Sequence, residues 1–311
     1  MKIFKKTKKK PLKTKKVNFS YNKNQILKDV TLEINPSTIT AIIGKSGSGK
    51  STFLKLISGI ISKSYKGKIK IFGKNKNLNK SKIGFVPQEI SLIPDLSIID
   101  NIKFAGLNLG ISEKKAIEKA NYLLELLKLN ESLEKKPNEL SGGQKVRLNI
   151  VLSLLHDPNF IVLDEPFVGL DFQNRKLLWH FLESMKKKKK SILLTSHLLS
   201  EIEEHVDKII ILKNKKVFFV GNPSKLKDKL KIYYILEIKF QYLSKENFNK
   251  IIRYCDINKI SLLDHYEKYL MFSIDKIKTK HKLIKYFDKL NLTYAELSLR
   301  EPNLDEVFLK E

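Results

Sequence analysis

Eight residues, Gly44-Lys45-Ser46-Gly47-Ser48-Gly49-Lys50-Ser51, constrain this chain more than any other stretch. They fit the pattern G-x-x-x-x-G-K-[ST] at every fixed position. The apolar run Thr40-Ala41-Ile42-Ile43 in front reads as a buried strand, and Thr52-Phe53-Leu54-Lys55-Leu56-Ile57 behind reads as a helix. Glycines between a strand and a helix start let backbone N–H groups turn inward around phosphate oxygens, and the helix start adds its positive dipole end. In that setting Lys50 reaches β- and γ-phosphates, and the Ser51 hydroxyl is offered to magnesium. A chance Gly/Ser turn would not require the Lys-Ser ending and both flanks to agree.

The 311 residues suffice for one large domain and a small one, and 42% hydrophobic residues suffice for a core. No apolar run approaches the eighteen or so residues needed to span a bilayer, so a soluble or peripheral protein is expected. The N-terminus lacks the apolar stretch of a secretory signal. One cysteine, Cys255, excludes an internal disulfide and a cysteine-based metal cluster. The formal charge of +27 fits a lysine-biased composition, an anionic membrane surface or nucleic acid. Lysine is scattered along the chain and greatly outnumbers arginine, the usual bidentate reader of phosphates and bases, which argues against nucleic acid.

Residues 1–16 read as a basic disordered tail. Val17-Asn18-Phe19-Ser20-Tyr21 alternates like an edge strand, Asn22-Lys23-Asn24 turns, and 26–34 alternates again, giving an antiparallel pair ahead of the phosphate loop. Gly67–Gly73 and Ile83–Val86 read as short strands, the second ended by Pro87 with Gln88 directly after. From about 89 to 159 the pattern turns helical, with Ile117, Ala120, Leu123, Leu124 and Leu127 on one face, so an inserted helical subdomain is expected. Within it Leu140-Ser141-Gly142-Gly143-Gln144 has the form of a capping box opening a helix whose N–H groups suit an anion. Phe160-Ile161-Val162-Leu163 reads as a strand buried on both faces that delivers Asp164 and Glu165 at its carboxyl end. Ser191–Thr195 is the next such strand, ending in Ser196-His197.

Phosphate loop, Gln88, the 140–144 signature, Asp164-Glu165-Pro166, Leu170-Asp171 and His197 occur in one order at sensible spacings. Over residues 17–222 the chain resembles the ATP-binding subunit of an ATP-binding-cassette (ABC) transporter. The resemblance implies an α/β P-loop NTPase fold: a RecA-like core, an antiparallel β subdomain and a helical subdomain. It implies ATP and magnesium as ligands, with Tyr21 stacked on adenine and Gly44 through Thr52 around the triphosphate. Ser51, Gln88 and Asp164 would hold magnesium. Glu165 would act as general base, His197 would contact the γ-phosphate, and Lys50 would hold the phosphates. Ser141, Gly143 and Gln144 of a second subunit would cover the γ-phosphate, and Asp171 would lie at the dimer seam. One departure is Pro36-Ser37-Thr38, where the family usually carries a glycine.

The implied partners are a second nucleotide-binding subunit, in a homodimer, and a transmembrane permease at the cytoplasmic face of the cell membrane. An apolar groove over 89–105, with Ile90, Leu92, Ile93, Leu96 and Ile98, is expected to receive a short helix of that permease. Residues 223–311 read as a small α/β appendix with strands at 232–240, 269–274 and 294–299, a helix at 281–290 and a capped helix from Asn303. Its ending, Pro302 through Leu309, is similar to cassettes of drug, lipid or polysaccharide exporters. A soluble ABC-type ATPase acting on ribosomes or nucleic acid is the alternative, though such relatives generally carry two cassettes in one chain or a long coiled-coil insertion.

Overall fold

A computed structural model describes residues 9–75, 82–230 and 233–304. Two units divide them: one takes in the chain up to His197 plus His205–Val220, the other Leu198–Glu204 and everything from Gly221. The chain runs β1 (Leu12–Tyr21), β2 (Asn24–Val30), β3 (Glu33–Ile34), β4 (Ile39–Ile43), α1 (Lys50–Ile57), β5 (Lys66–Ile71), β6 (Lys74–Asn75) and β7 (Ile83–Val86). It continues α2 (Ile98–Asn108), α3 (Glu113–Leu126), α4 (Gly142–Leu154), β8 (Phe160–Leu163), α5 (Phe172–Lys187), β9 (Ser191–Thr195), α6 (Leu199–His205), β10 (Lys208–Lys213), β11 (Lys216–Gly221) and α7 (Pro223–Leu230). The last stretch holds β12 (Tyr234–Phe240), α8 (Lys245–Asn258), β13 (Ser261–Tyr266), β14 (Tyr269–Ile274), α9 (Ile277–Lys289) and β15 (Tyr294–Arg300).

The first unit is built on a six-stranded sheet in the order β11-β10-β4-β9-β8-β7, with the pairs from β10 to β7 parallel. Every residue of β4, β8 and β9 is buried, which is why those stretches read as unbroken apolar runs. An antiparallel sheet, β2-β1-β5-β6 with β3 also on β1, packs its apolar face into the same core as Phe53, Leu54, Phe160 and Leu193. Gly84 of β7 permits a close approach: a Cβ there would lie 2.6 Å from Pro158 Cγ and 2.7 Å from Leu154 Cδ2. Gly84→Ala is therefore expected to destabilise the first unit by roughly 1–3 kcal/mol through overpacking, read as a lower urea midpoint.

Part of the expected disordered tail is a strand. Residues 12–16 belong to β1, which begins five residues before the expected Val17. Leu12 is fully buried and pairs with Ile34 on one side and Ile71 on the other. The buried Thr14 hydroxyl donates to Val30 O (3.2 Å) and accepts from Leu32 N–H (3.0 Å). Lysines at the alternate, outward positions hid the strand, because long cationic side chains cover a sheet's wet face without disturbing its pleat. Residues 1–8 lie outside the described residues.

The helical block starts later than its expected position 89. Residues 89–97 are not helical; α2 begins at Ile98, with Ser97 as its cap accepting from Asp100 N–H. The buried Asn101 amide ties that loop down, donating to the carbonyls of Ile93, Leu96 and Ser97 and accepting from Ile93 N–H. Ile98 is 1% exposed and so cannot line a groove, whereas Ile90 and Phe104 are exposed. In α3 the expected face is buried at Ala120, Leu123 and Leu124, and Leu127 just beyond the helix is buried too.

Ser37, standing where a glycine was expected, adopts a φ of 57°. Its N–H donates to Ser191 Oγ (3.0 Å) and its hydroxyl to Lys189 O (3.3 Å), bonds that hold a left-handed residue in place.

His156 follows α4, and its Nε2–H donates to the Ile83 carbonyl (3.0 Å). Burial pushes this imidazole below its ordinary value, opposed by that backbone bond. A depressed folded-state value means that the unfolded chain takes up the proton first as pH falls. Stability is expected to fall as pH drops through the ordinary histidine value of about 6.5 toward the lower folded value. His156→Gln should flatten that part of the profile in denaturation series at stepped pH.

The second unit contains a four-stranded antiparallel sheet, order β13-β14-β12-β15, with α8 and α9 packed on one face through Leu236, Phe240, Ile251, Phe272, Leu283 and Phe287. Sequence reading missed α8 and β13. α8 buries Ile251 and Cys255 and packs Phe248 beside them, and β13 has no fully buried residue. Of the helix expected from Asn303 only Leu304 is described, and it is helical; the rest falls outside the described residues.

Candidate nucleotide site

Parallel register assembles the site. Ile42 of β4 lies beside Thr195 of β9, Leu194 beside Leu163 of β8, and Leu163 beside Val86 of β7. The residues that follow each strand, Gly44, Asp164-Glu165, Ser196-His197 and Pro87-Gln88, therefore emerge along one edge, the carboxyl ends where open α/β sheets bind ligands. A cavity of about 630 Å³ opens there, lined by Gly44, Ser46 through Thr52, Gln88, Glu165 and His197, together with Ile26 and Val168.

The loop is shaped by contacts that exclude a side chain at its first glycine. A Cβ on Gly44 would sit 2.4 Å from Leu212 O and 2.9 Å from Ser48 Oγ. Lys50 Nζ donates to Gly44 O (2.8 Å) and Lys45 O (3.4 Å), so the ammonium is held against its own loop. Ser48 Oγ is buried with no partner among the described residues, which fits a loop built to donate to a ligand oxygen.

Asp164 is 1% exposed, and a carboxylate at that depth needs hydrogen-bond donors. Ser51 Oγ (3.0 Å) and Thr195 Oγ1 (2.8 Å) both donate to its Oδ1. Thr195 also accepts from Glu165 N–H (2.9 Å), so one buried hydroxyl joins the two acidic residues. Sequence reading missed Thr195; its signal was a polar residue closing an apolar strand. Glu165 has a φ of 48°, a left-handed conformation that its surroundings must hold. Its Oε2 meets His197 Nδ1 at 3.0 Å, with the carboxylate 13% and the imidazole 68% exposed. Ser51 Oγ, the Asp164 carboxylate and Gln88 are hard oxygen donors of the kind magnesium takes alongside phosphate oxygens and water. Among the described residues no cluster of three His, Cys, Asp or Glu could hold a metal alone.

Other expected residues stand apart from this cavity's lining. Tyr21 lies at the end of β1, edge-on to Phe19 at 4.9 Å, with Lys63 Nζ 5.7 Å from its ring centre. The capping box of α4 is formed: Ser141 Oγ accepts from Gln144 N–H (3.3 Å), and Gln144 Oε1 accepts from Ser141 N–H (2.7 Å). Gly143 packs so tightly on Asn174 that a Cβ would lie 2.9 Å from its Nδ2. Asn174 in turn donates through its side chain (2.9 Å) and its backbone N–H (2.8 Å) to Asp171, the cap of α5. That backbone bond is the first reason the Asp171 carboxyl is held below the usual range. Gly143, itself buried, and Asp171 are thus joined through Asn174, and neither they nor Ser141 belong to the lining of the phosphate-loop cavity.

A phosphate loop on a parallel sheet, an acidic pair at the end of a strand two places away in that sheet and a Ser141-capped helix opening on two glycines define an ATP-binding cassette. The ABC transporter family model matches residues 27–168. The Nod factor export ATP-binding protein I of Cupriavidus metallidurans is 30% identical over 221 residues, 70% of this chain and 73% of that one. The linearmycin resistance ATP-binding protein LnrL of Bacillus subtilis is 28% identical over 305 residues, 96% of this chain and 97% of that one. A dimeric ATP-binding cassette solved in a post-hydrolysis state with ADP and phosphate superposes with a TM-score of 0.61 at 27% identity, covering 68% of this chain and 98% of that one. The chain belongs to the ABC transporter family, as an ATP-binding subunit.

Proposed function

We propose that two copies of this chain close around ATP, hydrolyse it and thereby drive a separate permease, in the direction of export. The observation that carries the reading is the separation of the two half-sites: Lys50, Ser51, Glu165 and His197 line the cavity, with buried Asp164 bonded to Ser51, while Ser141, Gly143 and Asp171 take no part in its lining. A two-fold partner turns one half toward the other. The Gly44–Thr52 loop and Lys50 hold the triphosphate, Tyr21 stacks on the adenine, and Ser141, Gly143 and Gln144 of the partner cover the γ-phosphate. Ser51, Gln88 and Asp164 hold magnesium, which when bound neutralises charge on the phosphoryl oxygens. Glu165 takes the proton of the attacking water, and His197, in contact with that carboxylate, orients it toward the γ-phosphate.

The printed names of the relatives, a Nod factor export protein and a linearmycin resistance protein, support export over the ribosomal or nucleic-acid alternative. Among the described residues no helix is long and apolar enough to cross a membrane, consistent with a peripheral subunit on the cytoplasmic face. The permease docks beside Gln88, against Ile90 and Phe104. Gln88→Ala is expected to lower transport at least tenfold, as a coupling and positioning loss of about 1.4 kcal/mol or more; full coupled transport in that variant would remove this route. The exposed lysines of β1 suit an anionic lipid surface. Salt-sensitive co-sedimentation with anionic vesicles tests that contact.

A further inference from the structure

Trp179, the chain's only tryptophan, lies on α5 away from the cavity's lining, and is 1% exposed. Its indole is a filling between two rings. Phe167 stacks on it at 4.5 Å and 27°, and His205 at 4.6 Å and 19°. Glu183, one turn further along α5, meets His205 Nδ1 at 3.0 Å and so holds that imidazole flat against the indole.

Phe167 is the second residue after Glu165, in the short loop that returns the chain to Asp171. That loop is two consecutive turns: Val168 N–H donates to Glu165 O (3.3 Å) and Leu170 N–H to Phe167 O (3.2 Å). Glu165 sits in the left-handed region, which costs free energy unless neighbours hold it there. On its amino side the Thr195 hydroxyl takes the Glu165 N–H. On its carboxyl side Pro166 and Phe167 are both buried, Phe167 at 4% exposed, and the Phe167 ring rests on Trp179.

We propose that Trp179 is a positioning residue for ATP hydrolysis: its indole, braced by His205, clamps Phe167 and thereby fixes the backbone that aims the Glu165 carboxylate. The inference rests on Glu165 being the base. A carboxylate misplaced by about 1 Å loses rate far more than it loses binding, because the phosphate loop that holds ATP is untouched.

The test is steady-state ATP turnover of the full-length chain with four variants. Trp179→Leu removes the stacking plane and should lower kcat roughly tenfold or more, with KM for ATP within about twofold of the parent. Trp179→Phe keeps an aromatic plane and should restore most of kcat. Phe167→Leu probes the same clamp from the loop side, and should match Trp179→Leu even if the latter folds poorly. The double variant Trp179→Leu/Phe167→Leu should be no slower than the worse single, the non-additivity expected of one device. An unchanged kcat in folded Phe167→Leu, or leucine and phenylalanine behaving alike at 179, overturns the clamp. Glu165→Gln in parallel separates the two claims. Activity surviving in it sinks the base assignment; its loss beside normal leucine variants sinks only the clamp.

Discussion

Changing Glu165 to Gln is expected to cut ATP turnover by roughly 10²–10⁴-fold while leaving ATP affinity intact. The amide keeps the size of the carboxylate and its place beside His197, so the wall of the cavity survives. It cannot accept a proton from the attacking water, and that is the step lost. Because ATP stays uncleaved, the closed pair of subunits should persist, and the variant should run as a dimer in ATP and as a smaller species without it. Size-exclusion chromatography with light scattering reads this. Turnover within about twofold of the parent would remove Glu165 from the chemistry.

Lys50→Ala should act earlier, at binding. The ammonium already lies against the Gly44 and Lys45 carbonyls, so its orientation is set before ligand arrives. Charge-assisted hydrogen bonds to phosphate are each worth about 1.5–3 kcal/mol, so ATP affinity should fall roughly ten- to hundredfold or more. Equilibrium titration with a fluorescent ATP analogue measures it. The fold should be nearly unaffected, since the lysine packs no core; its loss removes the one ammonium that, among the described residues, lines the cavity. Unaltered affinity would mean that the loop is not the triphosphate site.

These two residues were legible in the sequence because their signals are local. The loop, the strand before it and the acidic pair after Phe160-Ile161-Val162-Leu163 lie within short windows whose composition is dictated by burial on both faces. What stayed hidden depends on distant partners. Leu12–Lys16 forms a strand because Ile34 and Ile71 are there to pair with it, although its lysines read as a solvated tail. Residues 89–97 are pinned by two buried amides, Asn101 and Asn149, and no period records that. Thr195 becomes important only when β8 and β9 pair and bring its hydroxyl to Asp164. Phe167 and Trp179 are twelve positions apart and meet only because α5 folds back over the loop. Local windows carry the ligand-binding chemistry, and tertiary pairing carries the residues that hold it still.

The most direct test of the shared chamber is a mixing experiment with two inactive chains. Lys50→Ala spoils the phosphate loop, and Ser141→Arg spoils the surface offered to a partner. If each chamber takes one half from each chain, an equal mixture forms heterodimers with one chamber doubly damaged and the other wholly intact. Turnover should then reappear, on the order of a quarter of the parent's for independent chambers and random pairing. An equal mixture as inactive as its two components would contradict a chamber built from two chains.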